Sequence, residues 1–358
     1  MSILKRLESY FYTKFNRYQR TKYANHDLQC KLRNIHVKPI SDIDMDRVKR
    51  FYSKFGISVS RKWFDLFNSF NTDGSNICFY IPHDIYYGYI DTFYSDVRKS
   101  GFCDDKILYG VYFHDVKQPK TILRRCCDEV YLDEHYKIIT KKEAVAILKN
   151  YDQFIVKKSA YSSGGKGVFF YNKKDDNTIN GLLAEEGSIV IQEILKQHPN
   201  ISYLHDNSVN TIRIISLIRN DKVNILSSVI RMGQGGAKVD NASSGGIFCG
   251  IKPNGQLKNI AYNCNGKAFS KHPQGAIFSN VTIPNFDECI KLVEKLAPRV
   301  SSITKLCSWD IAIDKDGSPI LIEANFTFGE VDFHQMCNGP IFGNLTEAVL
   351  NDVFNTKR

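Results

Sequence analysis

Long apolar runs are missing from this chain of 358 residues. No stretch approaches the ~18 consecutive apolar residues of a membrane-spanning helix. The opening Met1-Ser2-Ile3-Leu4-Lys5-Arg6 lacks the apolar core and small-residue cleavage site of a secretory signal. The ten cysteines (30, 78, 103, 126, 127, 249, 264, 289, 307, 337) form no CxxC pair and no His-rich spacing. Neither a zinc site nor a disulfide framework is therefore expected, and free thiols in a reducing cytoplasm fit better. Low-complexity tracts and internal repeats are absent, which excludes disordered and solenoid architectures. There is no Walker A sequence, no obvious Ser/His/Asp triad and no aromatic-basic RNA motif. Nucleic acid is not an expected partner.

Charge is present but uneven. Residues 1–60 hold 13 Lys and Arg against 5 Asp and Glu, so of the formal +10 only +2 belongs to the remainder. In that segment Ile3, Leu4, Leu7, Tyr10, Phe11, Phe15 and Tyr18 recur at helical spacing, with Lys5, Arg6, Lys14, Arg17 and Arg20 interleaved. One reading is a helix packing its apolar stripe on the body and solvating its basic face. The other is an interfacial helix drawn to anionic lipid, a peripheral contact with the inner face of the membrane.

The length points to two or three domains. The expected division is a basic helical segment over 1–75, a second N-terminal region over 76–140, a small lid over 141–197 and a larger C-terminal unit over 198–358. Two helical pieces are expected within 41–71, and helices over 141–151, 177–186, 285–298 and 343–355. Short β-like runs fall at 76–82 and 106–113, strands at 154–158, 168–171, 188–195, 211–218 and 223–232, and a glycine-rich loop at 233–250. The fold class is α+β, with two β-rich domains facing each other.

The densest information lies in Trp309-Asp310-Ile311-Ala312-Ile313-Asp314 and Pro319-Ile320-Leu321-Ile322-Glu323-Ala324-Asn325. The intervening Lys315-Asp316-Gly317-Ser318 has Asp-Gly turn chemistry, so the pair reads as a β-hairpin. With Asp314 opposite Pro319, Asp310 falls opposite Glu323. Alternation then places Asn325 beside Glu323, and turns Ile311, Ile313, Ile320, Ile322 and Ala324 to the other face. Like charges directly opposite repel. Two carboxylates and an amide oxygen on one face therefore want a hard divalent cation, most simply Mg²⁺.

Upstream, the strand of residues 154–158 ends in Lys157-Lys158, and Ser163-Gly164-Gly165-Lys166-Gly167 leads into a second strand. Glycines let backbone N–H groups approach phosphate oxygens, and a strand-borne lysine adds a fixed cation. A flexible hairpin tip would have the same composition. Alternation allows only one of Lys157 and Lys158 to face a nucleotide. Further on, Ile189-Val190-Ile191-Gln192-Glu193-Ile194-Leu195 ends in a polar hinge able to offer backbone groups and a carboxylate to adenine and ribose.

Taken together, the lysine strand, glycine loop, Gln-Glu hinge and Asp…Glu-x-Asn ending resemble the ATP-grasp superfamily over roughly residues 100–345. Asn210-Thr211-Ile212-Arg213, Asp240-Asn241 with Gly245-Gly246, His272-Pro273-x-Gly275 and Trp309-Asp310 resemble its sugar-transfer-associated group. The resemblance implies two α+β domains clasping ATP. It makes Asp310, Glu323 and Asn325 the Mg²⁺ ligands. It assigns ATP to Lys157, to Ser163, Gly164, Gly165 and Gly167 of the loop, and to Gln192, Glu193 and the Ile194 backbone. Lys106, in Asp104-Asp105-Lys106, matches an upstream phosphate lysine; the alternative is a surface lysine. Arg213 and Arg231 either stabilise a transferring phosphoryl group or form structural ion pairs. Asn241, with Gly245 and Gly246, forms either a backbone-donor loop beside the acceptor site or a plain surface loop, and His272 either touches a sugar or phosphate or belongs to an ordinary loop.

The implied reaction is ligation. A carboxylate is activated as an acylphosphate and joined to an amine, with ATP and Mg²⁺ as cofactors, in surface-polysaccharide biosynthesis. A sugar uronate or an amino acid is the expected substrate, and a nucleotide- or lipid-linked sugar the expected carrier. Two other outcomes stay open: phosphoryl transfer to a sugar hydroxyl, and a non-catalytic nucleotide-binding scaffold.

Overall fold

The structure is a computed structural model that describes residues 3–160, 167–172, 176–241 and 245–355. Its β-structure divides into two antiparallel sheets. The smaller contains β1 (Thr121–Cys126), β2 (Val130–Asp133), β3 (Ile138–Ile139), β4 (Phe154–Lys158), β5 (Val168–Tyr171) and β6 (Ile189–Gln192), in the order β3-β2-β1-β6-β4-β5. The larger contains β7 (Thr211–Arg219), β8 (Lys222–Met232), β9 (Ile247–Ile251), β10 (Leu257–Asn263), β11 (Ala268–Phe269), β12 (Leu306–Ile313) and β13 (Pro319–Asn325), ordered β11-β10-β9-β8-β7-β12-β13. The expected division at 140/141 falls inside the smaller sheet, because β1 pairs with β6 from Leu123↔Ile191 to Arg125↔Ile189.

The β-like runs at 76–82 and 106–113 are helical turns. Asn76 accepts the backbone N–H of Cys78 (3.1 Å) and Asp105 that of Ile107 (2.9 Å), each opening a 3₁₀ turn. A short apolar run does not by itself distinguish strand from helix. Within the loop expected at 233–250, β9 begins at Ile247. The helix of residues 141–148 forms as expected, opened by a capping box between Thr140 and Glu143.

The larger sheet is buried on both faces. Trp309, Ile311 and Ile313 of β12 pack with the helix Phe286–Leu296, whereas Leu306, Ile215 and Val229 join a core with Trp63, Phe64, Tyr80 and Phe333. That second core is built largely by the N-terminal helices α1 (Ile3–Asn34), α2 (Asp42–Ser53) and α3 (Arg61–Phe70).

In α1 the body-facing residues are Arg20, Ala24, Leu28 and Lys31. Their charges are paired: Arg20 with the buried Asp91, and Lys31 with Asp27 (2.6 Å) and Asp332 (3.0 Å). The stripe Leu7, Phe11, Phe15 and Tyr18 does not pack on the body, contrary to the first reading; all four are exposed. Among the described residues no helix is long and apolar enough to cross a membrane. The nine cysteines whose side chains are described are free thiols.

Two buried histidines give the fold an acid sensitivity. Burial holds both His83 and His334 down from 6.5 to about 3. Between those limits the unfolded chain binds protons that the native state refuses, so stability falls as pH drops below 6.5. Each group contributes a slope of up to about 1.4 kcal/mol per pH unit. Urea unfolding at pH 7 and pH 5 is expected to show a loss at pH 5 that shrinks in His83→Leu.

Candidate functional site

The β12–β13 hairpin pairs Asp310 with Glu323, Trp309 with Ala324 and Ser308 with Asn325. Nearer the turn the register is one residue tighter: Ile313 faces Pro319, where Asp314 was expected. A β-bulge between Asp310 and Ile311 absorbs the difference and leaves Ile322 as the extra residue. Ile322 consequently lines the same cavity as Glu323 and Asn325, instead of pointing away from them.

The facing carboxylates do not go uncompensated. Arg213, opposite Asp310 on β7, donates from Nε to Oδ1 and from Nη2 to Oδ2, both at 2.7 Å. Its remaining Nη1 donates to Glu330. Arg231 lies 3.4 Å from both Asp310 and Asp240, and 3.6 Å from Glu330. Glu323 is met by the Lys106 amine at 2.8 Å. Besides the divalent cation that the sequence led us to expect, side chains from other elements thus already compensate the pair.

These partners set the protonation states. Burial pushes the Asp310 carboxyl up, but Arg213 and Arg231 outweigh it and hold it below the usual range. Arg213 is held above its ordinary value, its burial outweighed by Asp310 and Glu330. Glu330 opens to the cavity with a third of its side chain accessible, yet lies deep among protein atoms; burial raises it despite both arginines. Burial and Glu323 push Asp104 up to about 6 against the pull of Lys106. Burial and the neighbouring Lys106 lower Lys157 to about 8.

A cavity of about 1000 Å³ connects the two sheets. From the smaller sheet it takes Lys157 and Gln192; from the larger, Arg213, Arg231, Asp310, Glu323 and Asn325; from the connecting segments, Lys106, Glu193, Ile194 and Asn241. Lys157 lines it and Lys158 does not. Strand pairing ends at Gln192, so the backbone of Ile194 and Leu195 runs along the cavity outside the sheet. The Gln192 Oε1 is buried without a hydrogen-bond partner among the described residues, and Glu193 pairs with Lys120 at 2.8 Å. The Asn241 carbonyl accepts from the Gly246 N–H at 3.0 Å. Ser163, Gly164 and Gly165 lie outside the described residues, and the Gly167 carbonyl accepts from the Lys158 N–H at 2.9 Å. His272 is fully buried, donates from Nε2 to Gly233 O (2.9 Å), and is not part of the cavity wall.

The donor chemistry fits a hard divalent cation. Asp310, Glu323 and Asn325 offer only oxygen ligands on one wall. Among the described residues no group of three or more His, Cys, Asp or Glu could hold a metal, so a cation on this wall would draw on Asn325 or on ligand oxygens as well.

Several lining residues escaped sequence reasoning: Tyr23, Tyr87, Asp104, Phe328 and Glu330. Phe328 (φ 56°) and Glu330 (φ 54°) adopt left-handed backbone unusual for their types. Such strain costs of order 1–3 kcal/mol per residue and persists where the surroundings enforce it. Here Asp91, itself paired with Arg20, accepts the Phe328 N–H at 3.3 Å, and the Arg20 guanidinium sits 4.0 Å over the Phe328 ring. Tyr87 stacks on Phe328 at 5.4 Å and Tyr23 meets it edge-on at 6.4 Å. Helix α1 thus helps to build the cavity wall.

A family model described as sugar-transfer associated ATP-grasp matches residues 91–351. No curated protein matches the sequence. Among solved structures, D-alanyl-alanine synthetase A from Vibrio cholerae O1 biovar eltor str. N16961 is similar with a TM-score of 0.41 and 11% identity, over 71% of this chain and 66% of that one. The ATP-grasp ligase PsnB complexed with minimal precursor, Mg and ADP gives 0.42 and 14%, over 72% and 61%. An L-amino acid ligase from Bacillus licheniformis gives 0.40 and 14%, over 69% and 48%. This chain spans less than two thirds of the length of each, and likenesses this distant carry no detail of the site.

Proposed function

Because this chain belongs to the sugar-transfer associated ATP-grasp family, we propose that it is an ATP- and Mg²⁺-dependent ligase joining a sugar-borne carboxylate to an amine. The observation that carries this reading is the convergence of four cations, Lys106, Lys157, Arg213 and Arg231, with Asp310, Glu323 and Asn325 on one cavity walled by both sheets. Cations placed for phosphates beside hard oxygen donors suit phosphoryl transfer, where positioning and charge neutralisation do most of the work.

In this reading the Ile194–Leu195 backbone takes the adenine edge and Glu193 the ribose. Lys157 and Lys106 bind the phosphates, and Lys106 exchanges its contact with Glu323 for a phosphate oxygen. Asp310, Glu323 and Asn325 would hold Mg²⁺, which neutralises charge on the phosphates when bound. Arg213 fixes the Asp310 carboxylate and, with Arg231, supplies positive potential where the phosphoryl group moves. A substrate carboxylate oxygen attacks the γ-phosphorus and ADP leaves. The amine nitrogen then attacks the acyl carbon, phosphate departs, and the nitrogen loses a proton to give the amide.

The volume supports two substrates side by side, since about 1000 Å³ stands at the upper end for small-molecule sites. The wall of Tyr23, Tyr87 and Phe328 supports a ring substrate, whose C–H face packs on aromatic surface while its hydroxyls reach Glu330 or Asp104. A uronate on a nucleotide- or lipid-linked carrier, modified in the cytoplasm during surface-polysaccharide assembly, satisfies these requirements.

A screen of sugar acids crossed with amines, read by ADP release and product mass, tests the reading. The expected outcome is an amide, ADP and phosphate, with turnover reduced at least about 10²-fold in Glu323→Gln. Phosphate on a sugar hydroxyl would replace ligation by phosphoryl transfer, and full Mg²⁺-dependent turnover in Glu323→Gln would remove the metal assignment.

A further inference from the structure

Helix α1 has 32 residues, a length of about 48 Å. Its body-facing stripe, Arg20, Ala24, Leu28 and Lys31, belongs to the C-terminal half. In the other half Leu7 is 48% exposed, Phe11 65%, Phe15 62% and Tyr18 62%. Both sets follow the same i, i+4, i+8, i+11 spacing, so each forms one line along the helix. At 100° per residue the exposed line lies roughly 140° around the helix from the buried one. A contiguous aromatic stripe pointed away from its own body is a contact surface without a contact.

We propose that this outer half of α1 is a peripheral anchor on an anionic lipid surface. The occupant follows from charge. Residues 1–22 carry Lys5, Arg6, Lys14, Arg17 and Lys22 against the single acid Glu8, with Arg20 turned to the body and paired with Asp91. Lys14 and Lys22 are exposed beside the stripe, Lys14 lying 4.7 Å over the Tyr10 ring. A second copy of α1 would set like charges against like. An acidic headgroup layer neutralises them, and Tyr and Phe rings settle at the boundary between headgroups and acyl chains. The attachment is reversible, because no described helix is long and apolar enough to span a bilayer.

The site gains a defined address from this. The same helix reaches the cavity through Tyr23 and clamps Phe328 through Arg20. Adsorption of the outer half therefore holds the aromatic wall of the cavity close to the lipid surface. Lipid binding does not depend on the ligase reading and can be tested without any turnover.

Sedimentation with phosphatidylcholine vesicles, with and without phosphatidylglycerol, provides the test. The full-length chain is expected to bind the phosphatidylglycerol-containing vesicles at least about tenfold more strongly, and to be released by high salt. The triple variant Phe11→Ser, Phe15→Ser, Tyr18→Ser should lose that binding at unchanged Tm, since the stripe supports no core. Lys14→Glu with Lys22→Glu should lose the preference for phosphatidylglycerol. Equal partitioning of the wild type onto both vesicles, absence of binding, or retained binding by the triple variant would each overturn the proposal. So would a concentration-dependent dimer that the triple variant abolishes.

Discussion

Lys157→Met is expected to lower ATP-dependent turnover by about 10²–10³-fold, the scale of losing one preorganised charge donor at a phosphoryl-transfer site. Lys157 is the penultimate residue of β4 and lines the cavity, and methionine keeps most of the stem while removing the charge. The same residue gives nucleotide binding a pH signature. Burial beside Lys106 holds Lys157 at about 8, so the free protein loses this charge as pH rises through that value. Phosphate oxygens favour the protonated amine, and binding raises the value again. Titration of ATP at pH 7 and pH 9 should therefore show weaker binding at pH 9 in the wild type, and little dependence in Lys157→Met. Equal affinity at both values in the wild type would place the lysine away from phosphate.

The second large effect concerns stability. Arg213→Ala is expected to destabilise the fold by roughly 3–5 kcal/mol, the usual consequence of stripping one partner from a buried ion pair. Asp310 is 1% exposed and takes both of its short contacts from this guanidinium, which also reaches Glu330. Arg231 remains, but at 3.4 Å from Asp310 it makes a longer contact. Arg213→Lys should recover only part of the loss, because an ammonium cannot span both oxygens of Asp310 and still reach Glu330. Combining Arg213→Ala with Asp310→Asn should cost less than the sum of the single changes. Chemical denaturation of the four variants measures each quantity; a loss below about 1 kcal/mol for Arg213→Ala would mark the pair as uncoupled from the fold.

The hairpin was legible in the sequence because its information is local. An Asp-Gly turn and two alternating runs mark the hairpin, and the structure pairs Asp310 with Glu323, although the turn is one residue tighter than expected and the bulge restores that pairing. The bulge that turns Ile322 into the cavity was not legible, since it arises from fitting β13 along β12 rather than from any turn residue. The convergence of Lys106 with Glu323 required knowing that the segment before the smaller sheet returns to the edge of the larger one; residue spacing alone favoured a surface lysine. The turns at Asn76 and Asp105 had local signals in their capping side chains, obscured by the apolar residues that follow.

The N-terminal helix shows the opposite limit. Its helical period was readable, but two stripes of identical spacing run along it, and composition drew attention to the aromatic one. The body instead takes the line through Arg20 and Lys31, whose charges would argue for solvent if Asp91, Asp27 and Asp332 were not waiting for them. The pairing of Lys31 with Asp332 joins positions 301 residues apart, and nothing in a single sequence announces it. The meeting of Tyr23, Tyr87 and Phe328 at the cavity is hidden for the same reason.

The central claim is that a carboxylate is activated by direct attack on the γ-phosphorus. Isotope transfer reads this bond by bond. With the carboxylate substrate labelled with ¹⁸O in both oxygens, the released phosphate is expected to carry one labelled oxygen, and the amide to retain the other. Unlabelled phosphate, or label remaining entirely with the sugar while a hydroxyl becomes phosphorylated, would contradict it.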